Sequence, residues 1–227
     1  MATYFISDIH GEYELFIKLL KEIDFNNSDS LYICGDMIDK GKDSIKLIKF
    51  ISEQENIFAI MGNHEYYFCK YIEGLRAQLG LNNLKTIAKK IKEYFPYSSE
   101  EISLKEIEYI FNLPYYIETD DFICVHAGLE VKDNKIIPLK KQEPNYMLFN
   151  RSFKDNNFEP INKPILFGHT PCFYDKEDGR FIKDIKSDYS ANKFSFYSKI
   201  RLDTGVSYTK MLGVLRKEDM KEFYVNV

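Results

Sequence analysis

The chain has 227 residues, of which 44% are hydrophobic and 15% aromatic, so it can bury a sizeable core and we expect a single domain over residues 1–227. Its formal net charge of −4 excludes the strongly basic footprint of a nucleic-acid-binding protein. No apolar run could span a membrane and no C-x-x-C pair occurs, so we expect a cytoplasmic protein that binds neither membranes nor nucleic acid.

The first third of the chain alternates short apolar runs with segments of helical spacing. The apolar runs predict strands at Thr3–Ser7, Leu31–Cys34 and Ile57–Met61. The periodicity of the segments between them predicts amphipathic helices at Glu12–Ile23 and Ser44–Ile51. This βαβαβ order favours an α/β fold whose first half has parallel strands, because a helical crossover brings consecutive strands side by side.

The middle of the chain has a different composition. Residues 66–112 are rich in Lys, Glu and Tyr with helical periodicity, which Pro96 interrupts, and they predict a helical insert over or beside a functional site. Strands return in the second half, at Tyr115–Glu118, Phe122–Val125, Pro164–Phe167, Lys199–Leu202 and Met211–Leu215. Residues 175–198 are polar and poorly patterned, and we expect an excursion with weak strands there.

Each of the four histidines lies within two residues of a glycine and near the end of an apolar run. The four motifs are Ser7-Asp8-Ile9-His10-Gly11, Gly62-Asn63-His64-Glu65, Val125-His126-Ala127-Gly128 and Phe167-Gly168-His169-Thr170-Pro171. A fifth motif without histidine, Gly35-Asp36-Met37-Ile38-Asp39-Lys40-Gly41, lies between the first two. Histidines used for packing would be scattered, so this placement favours metal binding or proton transfer.

In chain order, the polar residues of the first three motifs come just after predicted strands. Because ligands bind at the carboxyl ends of the strands in open α/β sheets, Asp8, Asp36 and Asn63 should converge in space. The candidate metal ligands are Asp8, His10, Asp36, Asn63, His126 and His169. This set of nitrogen and oxygen donors without thiolate suits two divalent ions. Asp36 is in the right place to bridge two ions held about 3.5–4 Å apart.

Each motif taken alone has a simpler interpretation. An Asp-x-His pair is common, Gly-Asn-His-Glu could be a turn with a helix cap, and Gly-His-Thr-Pro could be a plain turn. All five motifs occur in this order in one chain, and those with histidine follow predicted strands. Coincidence is therefore a remote explanation.

Together the motifs resemble the phosphoprotein phosphatases of the calcineurin-like metallophosphoesterase superfamily, most closely the small bacterial and phage serine/threonine phosphatases. Leu202-Asp203-Thr204-Gly205 also resembles the closing strand of that family, so the resemblance spans nearly the whole chain. It implies a mixed α/β fold in which a two-sheet β-sandwich is flanked by helices. It also implies two bound divalent ions, with manganese effective in vitro and iron or zinc as native alternatives.

The resemblance assigns a role to each matched residue. It implies that Asp8, His10 and Asp36 bind one ion and that Asp36, Asn63, His126 and His169 bind the other. His64 would be the general acid, oriented by Asp39, while a hydroxide between the two metals attacks phosphorus in line. Lys40 and Arg151 would bind the substrate phosphate, although Lys40 stands where the family usually has arginine and Arg151 matches only loosely.

The implied activity is that of a metal-dependent phosphomonoesterase acting on phosphoserine and phosphothreonine, with a phosphorylated protein or peptide as substrate. The alternative is a dinucleoside-tetraphosphate hydrolase, which shares these motifs and needs a pocket for a base. A catalytically silent binding module on the same fold is disfavoured, because it should have lost a ligand or the acid. Every ligand position, His64 and Asp39 are present.

Overall fold

A computed structural model describes residues 1–79, 84–98, 100–159, 161–185 and 194–227. Within these ranges the strands are β1 Thr3–Ile6, β2 Ser30–Ile33, β3 Ile57–Ala59, β4 Tyr116–Glu118, β5 Ile123–Val125, β6 Val131–Lys132, β7 Lys135–Ile136, β8 Ile165–Phe167, β9 Ile182–Ile185, β10 Tyr197–Arg201, β11 Met211–Arg216 and β12 Glu222–Asn226. The α-helices are α1 Tyr13–Glu22, α2 Ser44–Ser52, α3 Asn63–Leu79, α4 Leu84–Tyr94, α5 Leu104–Phe111, α6 Pro144–Phe149 and α7 Val206–Thr209.

Two five-stranded mixed sheets form the centre of the fold. The first sheet has the order β12-β11-β1-β2-β3, in which β1, β2 and β3 are parallel and β11 and β12 are antiparallel additions. The second sheet has the order β4-β5-β8-β10-β9, with β5, β8 and β10 parallel and an antiparallel strand at each edge. The predicted α/β class and the parallel first half are therefore confirmed.

The alternation of side chains along β1 shows how the layers pack. Phe5 belongs to a buried cluster that includes Phe122 and Leu166 of the second sheet, and the rings of Phe5 and Phe122 meet edge-on at 4.8 Å. Tyr4 and Ile6 point the other way, into a cluster shared with α1 and α2. The two sheets thus face each other with helices on the outer side of the first sheet, which is the sandwich that the family resemblance implies.

The predicted strands run slightly beyond the observed ones at the site end. β1 stops at Ile6, before Ser7, and β2 stops at Ile33, before Cys34. Asp8 and Asp36, two and three residues after these strand ends, have φ values of 52° and 54°. A strand ladder cannot continue through this left-handed backbone.

The predicted helical insert comprises α3, α4 and α5. It begins at Asn63, three residues before the predicted start at Tyr66, because the helix opens directly from the Gly-Asn-His-Glu motif. The predicted break at Pro96 is confirmed, since α4 ends at Tyr94. A capping box of Ser103 and Glu106 starts α5.

Some elements were not predicted from the sequence. These are the β6–β7 hairpin, α6, α7 and the edge strand β12. The predicted weak strand within residues 175–198 is present as β9, whereas residues 186–193 lie outside the described residues. In the described ranges, no helix is both long enough and apolar enough to cross a membrane.

Candidate functional site

The loops that follow β1, β2, β3, β5 and β8 meet at one end of the sandwich. The polar residues that they carry there are Asp8, Asp36, Asn63, His126 and His169, all of which are buried. The two sheets are joined directly at this point, because the backbone N–H of His169 donates to Asp8 Oδ2 at 3.0 Å. The convergence predicted from the strand order is thus present, and it includes residues of both sheets.

The backbone of these loops is in an uncommon conformation. The predicted site residues with positive φ are Asp8, His10, Asp36, Asp39, Lys40 and His169. Left-handed backbone is costly for most side chains and least so for Asp, Asn and His. Such strain persists only where neighbouring contacts hold it. Here the His10 N–H donates to the Asp36 carbonyl at 3.0 Å and the Gly11 N–H to Met37 at 2.7 Å, which joins the first two loops.

Position 168 must be glycine because the backbone there lies against the side chains of Ser7 and Asp8. A Cβ atom there would lie 1.9 Å from Ser7 Oγ and 2.0 Å from Asp8 Oδ2. The glycine before His169 therefore lets the second sheet approach Asp8, which explains why the fourth motif contains it.

Three atoms that can each serve as a metal ligand converge in the half of the site beside the second sheet. His126 Nε2 lies 2.9 Å from Asn63 Oδ1 and 3.2 Å from His169 Nδ1, and Asn63 Oδ1 lies 2.8 Å from His169 Nδ1. His126 Nδ1 is bonded to the Cys34 carbonyl at 2.9 Å, so its Nε2 carries a lone pair toward the other two atoms. A divalent cation fits this donor set, and a carbonyl partner on the remote ring nitrogen is the usual support for a metal-binding histidine.

The other half of the site is centred on His10. Its Nδ1 is bonded to the Ile38 carbonyl at 3.1 Å, while its Nε2 lies 3.9 Å from Asp8 Oδ1 and 3.8 Å from Asp36 Oδ2. The other oxygen of Asp36 lies 3.4 Å from His126 Nε2. Asp36 therefore belongs to both groups of potential ligands, as a bridging carboxylate must.

Burial controls the protonation of these side chains. Burial, with the charge of Asp36, raises the pKa of Asp8 to about 8, and burial raises the pKa of Asp36 to about 6. Burial lowers the pKa of His126 to about 4 and, with His126 nearby, that of His169 to about 2. His126 and His169 are thus neutral near pH 7, as ligation requires, and burial outweighs the charge of Lys40 in raising the pKa values of both carboxylates.

His64 and Asp39 form a carboxylate–imidazole pair beside the ligands. Asp39 Oδ2 lies 2.8 Å from His64 Nδ1, and His64 Nε2 lies 3.8 Å from Asp36 Oδ2. Burial acts to lower the pKa of His64, but the bond to Asp39 and the charges of Asp36 and Asp39 outweigh it, so the pKa is raised. This pair has the form expected of an acid and its orienting partner, whereas the proximity of His64 to His10 and Asp36 would also allow ligation.

The helical insert reaches this pair. The hydroxyl of Tyr94, the last residue of α4, donates to Asp39 Oδ2 at 3.3 Å. Tyr94 itself packs against Phe68 and Tyr71 of α3, with ring centroids 5.2 and 5.0 Å away. The insert therefore lies beside the site, as predicted: α3 begins with Asn63 and His64 of the site itself, and α4 contacts Asp39.

Lys40 and Arg151 line the same cavity as the ligands. Lys40 Nζ lies 2.7 Å from His10 Nε2, so its ammonium is close enough to donate to that lone pair. Arg151 Nη1 donates to the His169 carbonyl at 3.3 Å, which anchors one side of its guanidinium. Both cations are within the cavity that would receive a phosphate, and their role in binding it stays a prediction.

Glu65 is a structural support of the site to which the sequence analysis gave no role. This buried carboxylate accepts backbone N–H groups from Asp36 at 3.0 Å, Met37 at 2.7 Å, Ile38 at 3.1 Å and Gly62 at 2.9 Å. Four donors on one side chain fix the loop that presents Asp36. The signal in the sequence was a glutamate held within the Gly-Asn-His-Glu motif at the start of a helix.

Three further residues of the cavity wall were not predicted as functional. Asp203 is buried near Asp8, and burial followed by the charge of Asp8 raises its pKa well above the ordinary value. Tyr174 and Tyr208 line the outer part of the same cavity. Tyrosines in loops give no periodic signal, so their place at the site was not visible in the sequence.

Comparison with known proteins identifies related sequences. A profile of the family described as calcineurin-like phosphoesterase matches residues 1–202. A symmetrical bis(5'-nucleosyl)-tetraphosphatase of Buchnera aphidicola subsp. Acyrthosiphon pisum (strain 5A) is 29% identical over 172 residues, 70% of this chain and 59% of the relative. The asymmetrical bis(5'-nucleosyl)-tetraphosphatase PrpE of Bacillus velezensis is 28% identical over 147 residues, 59% of each chain. The matches thus span less than two thirds of these relatives' length.

Solved structures show the same fold at low sequence identity. A crystal structure assigned provisionally as a diadenosine tetraphosphatase has a TM-score of 0.69 and 18% identity, covering 99% of this chain and 92% of its own. A protein serine/threonine phosphatase of Saccharomyces cerevisiae has a TM-score of 0.57 and 12% identity, covering 100% and 80%. At these identities the likeness concerns the fold alone.

We expect Glu65→Gln to destabilise the protein. The amide –NH2 group would replace an oxygen that accepts two backbone hydrogen bonds, and it can accept neither of them. The cost should be roughly 2–6 kcal/mol, given about 1–3 kcal/mol for each of the two buried donors left without a partner. Denaturant unfolding of the metal-free protein would measure it. Glu73→Gln, on the exposed face of the same helix, is the matched control. A change in Glu65→Gln as small as the control's would contradict this role.

The stability of the metal-free protein should fall as the pH rises from 7 to 8. The pKa of Asp8 is about 8 in the folded protein and 3.8 ordinarily, so the folded state holds a proton that the unfolded chain releases. As the folded protein also loses this proton, the free energy of unfolding should fall by about 1 kcal/mol between pH 7 and pH 8. The lowered pKa values of His126 and His169 make the stability rise with pH, but only below the ordinary histidine pKa of 6.5.

Thermal unfolding at several pH values would test this dependence on Asp8. In Asp8→Asn, the melting temperature should fall less between pH 7 and pH 8. In protein loaded with manganese it should not fall, because a bound cation replaces the proton. A metal-free wild-type protein whose melting temperature is constant or rises from pH 7 to 8 would contradict the expectation.

Proposed function

The chain belongs to the calcineurin-like phosphoesterase family, and we propose that it hydrolyses bis(5'-nucleosyl) tetraphosphates. The observation that carries this proposal is that the relatives in sequence named above are bis(5'-nucleosyl)-tetraphosphatases, and their similarity extends over most of this chain. The site is chemically suited to the reaction, since ligands for two ions and an imidazole acid share one cavity with two cations.

The expectation of a serine/threonine protein phosphatase with a phosphorylated protein or peptide as substrate was wrong. The relatives in sequence carry tetraphosphatase names, and the resemblance to protein phosphatases is limited to the shared fold. The physical reason is that the metal-ligand motifs contact the phosphoryl group being transferred. They carry no information about what is attached to the other side of the leaving oxygen, so they could not separate the two substrate classes.

Each side chain has a definite task in this proposal. Asp8, His10 and Asp36 would hold one divalent ion, and Asn63, His126 and His169 with Asp36 would hold the second. Bound ions of this kind supply an activated water and neutralise charge on the phosphoryl oxygens. Lys40 and Arg151 add positive charge to the cavity, where a tetraphosphate carries several negative charges. The chain thereby offsets its own net negative charge at the one place where the substrate binds.

His64 would protonate the leaving oxygen from Nε2, while its Nδ1 stays bonded to Asp39. The leaving group in an anhydride is itself a phosphate, whose last pKa is about 6, far below that of a phenol at about 10. Such a group departs without much help from an acid. We therefore infer that His64 matters less for a tetraphosphate than for a simple ester.

The direct test is hydrolysis of diadenosine tetraphosphate by protein reconstituted with manganese. We expect turnover that chelation abolishes and manganese restores, with a kcat/KM at least tenfold above that for a phosphoserine peptide. Chromatography of the products would distinguish two nucleoside diphosphates from a triphosphate and a monophosphate, which are the symmetrical and asymmetrical outcomes. Absence of turnover with metal-loaded, folded protein would contradict the proposal.

We expect His64→Asn to retain its metal and to lose more activity on phenyl phosphate than on diadenosine tetraphosphate. The loss on the phenyl ester should be about 10²–10⁴ in kcat, the usual contribution of a positioned general acid. Elemental analysis of the variant is the second measurement. If the variant loses an ion, His64 is a ligand; if both substrates are slowed equally, its role is not that of an acid.

A further inference from the structure

One wall of the site cavity carries aromatic rings that the hydrolysis of phosphate does not require. Tyr174 and Tyr208 line this cavity together with the metal ligands, and their side chains are 63% and 69% exposed. Both pack on the half-buried ring of Phe173, at centroid distances of 4.4 Å from Tyr174 and 5.5 Å from Tyr208. We refer to Phe173, Tyr174 and Tyr208 as the aromatic ledge.

The aromatic ledge is attached to the candidate metal site through two short connections. Phe173 and Tyr174 lie in a 3-10 turn, Cys172–Tyr174, that begins three residues after His169. Tyr208 lies in α7, which follows the buried Asp203 of the cavity wall by three residues. The backbone N–H of Cys172 donates to the Asp203 carbonyl at 2.7 Å, so the two connections are held side by side.

Glycine at position 205 makes the packing of the aromatic ledge possible. Its φ is 70°, and a Cβ atom there would lie 2.5 Å from Cε1 and 2.6 Å from Cδ1 of Phe173. Any side chain would displace Phe173 and with it the support beneath both tyrosines. The ledge is thus built into the loop by a specific residue and is not a chance exposure of two side chains.

We propose that the aromatic ledge stacks one nucleobase of the substrate, an inference that rests on the proposed tetraphosphatase function. Exposed aromatic faces bind bases of any sequence by stacking, because every base has a π-face. Arg151 and Lys40 line the same cavity as Tyr174 and Tyr208, so phosphates bound by the two cations would lie in the cavity that the aromatic ledge borders. A phosphoserine or phosphothreonine peptide offers no planar group at a fixed distance from its phosphate.

The proposal assigns substrate recognition to the second sheet's loops. Tyr174 follows β8 and Tyr208 follows β10, and these two strands are parallel neighbours. The helical insert contacts Asp39 through Tyr94 and supplies none of the three rings. Binding of the base and positioning of the candidate metal ligand His169 therefore both depend on the loop that follows β8.

The experiment compares inhibitors with and without a base during hydrolysis of diadenosine tetraphosphate. In Tyr174→Ala and Tyr208→Ala, the KM for the substrate and the Ki of ADP should rise about five- to a hundredfold, the usual range for loss of one base–aromatic stack. The Ki of inorganic tripolyphosphate, which has no base, and kcat should stay within about twofold. Tyr174→Phe and Tyr208→Phe should behave as wild type, because they keep the ring face.

Tyr67→Ala is the matched control, since Tyr67 is 53% exposed and does not line the site cavity. It should leave all of these constants unchanged. An unchanged KM in both alanine variants, or an equal rise for ADP and tripolyphosphate, would overturn the aromatic ledge as a base site while leaving the tetraphosphatase proposal intact. Failure of the wild-type protein to hydrolyse diadenosine tetraphosphate would instead overturn the proposed function and the base site together.

Discussion

Buried acceptor atoms that face one another at the joint of two sheets are the constraint on which this structure depends. Asn63, His126 and His169 approach within 3.2 Å through atoms that carry lone pairs, and Asp36 adds a carboxylate to the same group. Such an arrangement is unfavourable without a cation. The fold holds it by left-handed loops, by close approaches that only glycine permits, and by the four N–H bonds of Glu65.

Much of this arrangement could be predicted from the sequence, because its signals are local. Apolar runs gave the strands, and parallel pairing then required that Asp8, Asp36 and Asn63 converge. The exact strand ends could not be predicted, since they depend on the backbone conformation of Asp8 and Asp36. The edge strand β12 and α6 were missed because their patterns are short and half exposed.

The residues that support the site from behind or line its outer wall were the least visible in the sequence. Glu65 acts through backbone N–H groups, which have no sequence signature of their own. Tyr174 and Tyr208 reach the cavity through tertiary packing on Phe173, and neither lies in a periodic segment. The metal-ligand motifs therefore indicated which side chains converge in one cavity, while the substrate class could be proposed only from the comparison with related sequences.

The contact between His169 and Asp8 has a consequence for the order in which the protein folds. These two residues are 161 positions apart, so their hydrogen bond closes one of the longest loops in the chain. Contacts of high sequence separation form late, after the local helices and hairpins. During synthesis, Asp8, His10, Asp36 and Asn63 all emerge well before either histidine of the second sheet. A nascent chain can therefore display four of the six candidate ligands, but the complete set appears only when β8 has joined the second sheet.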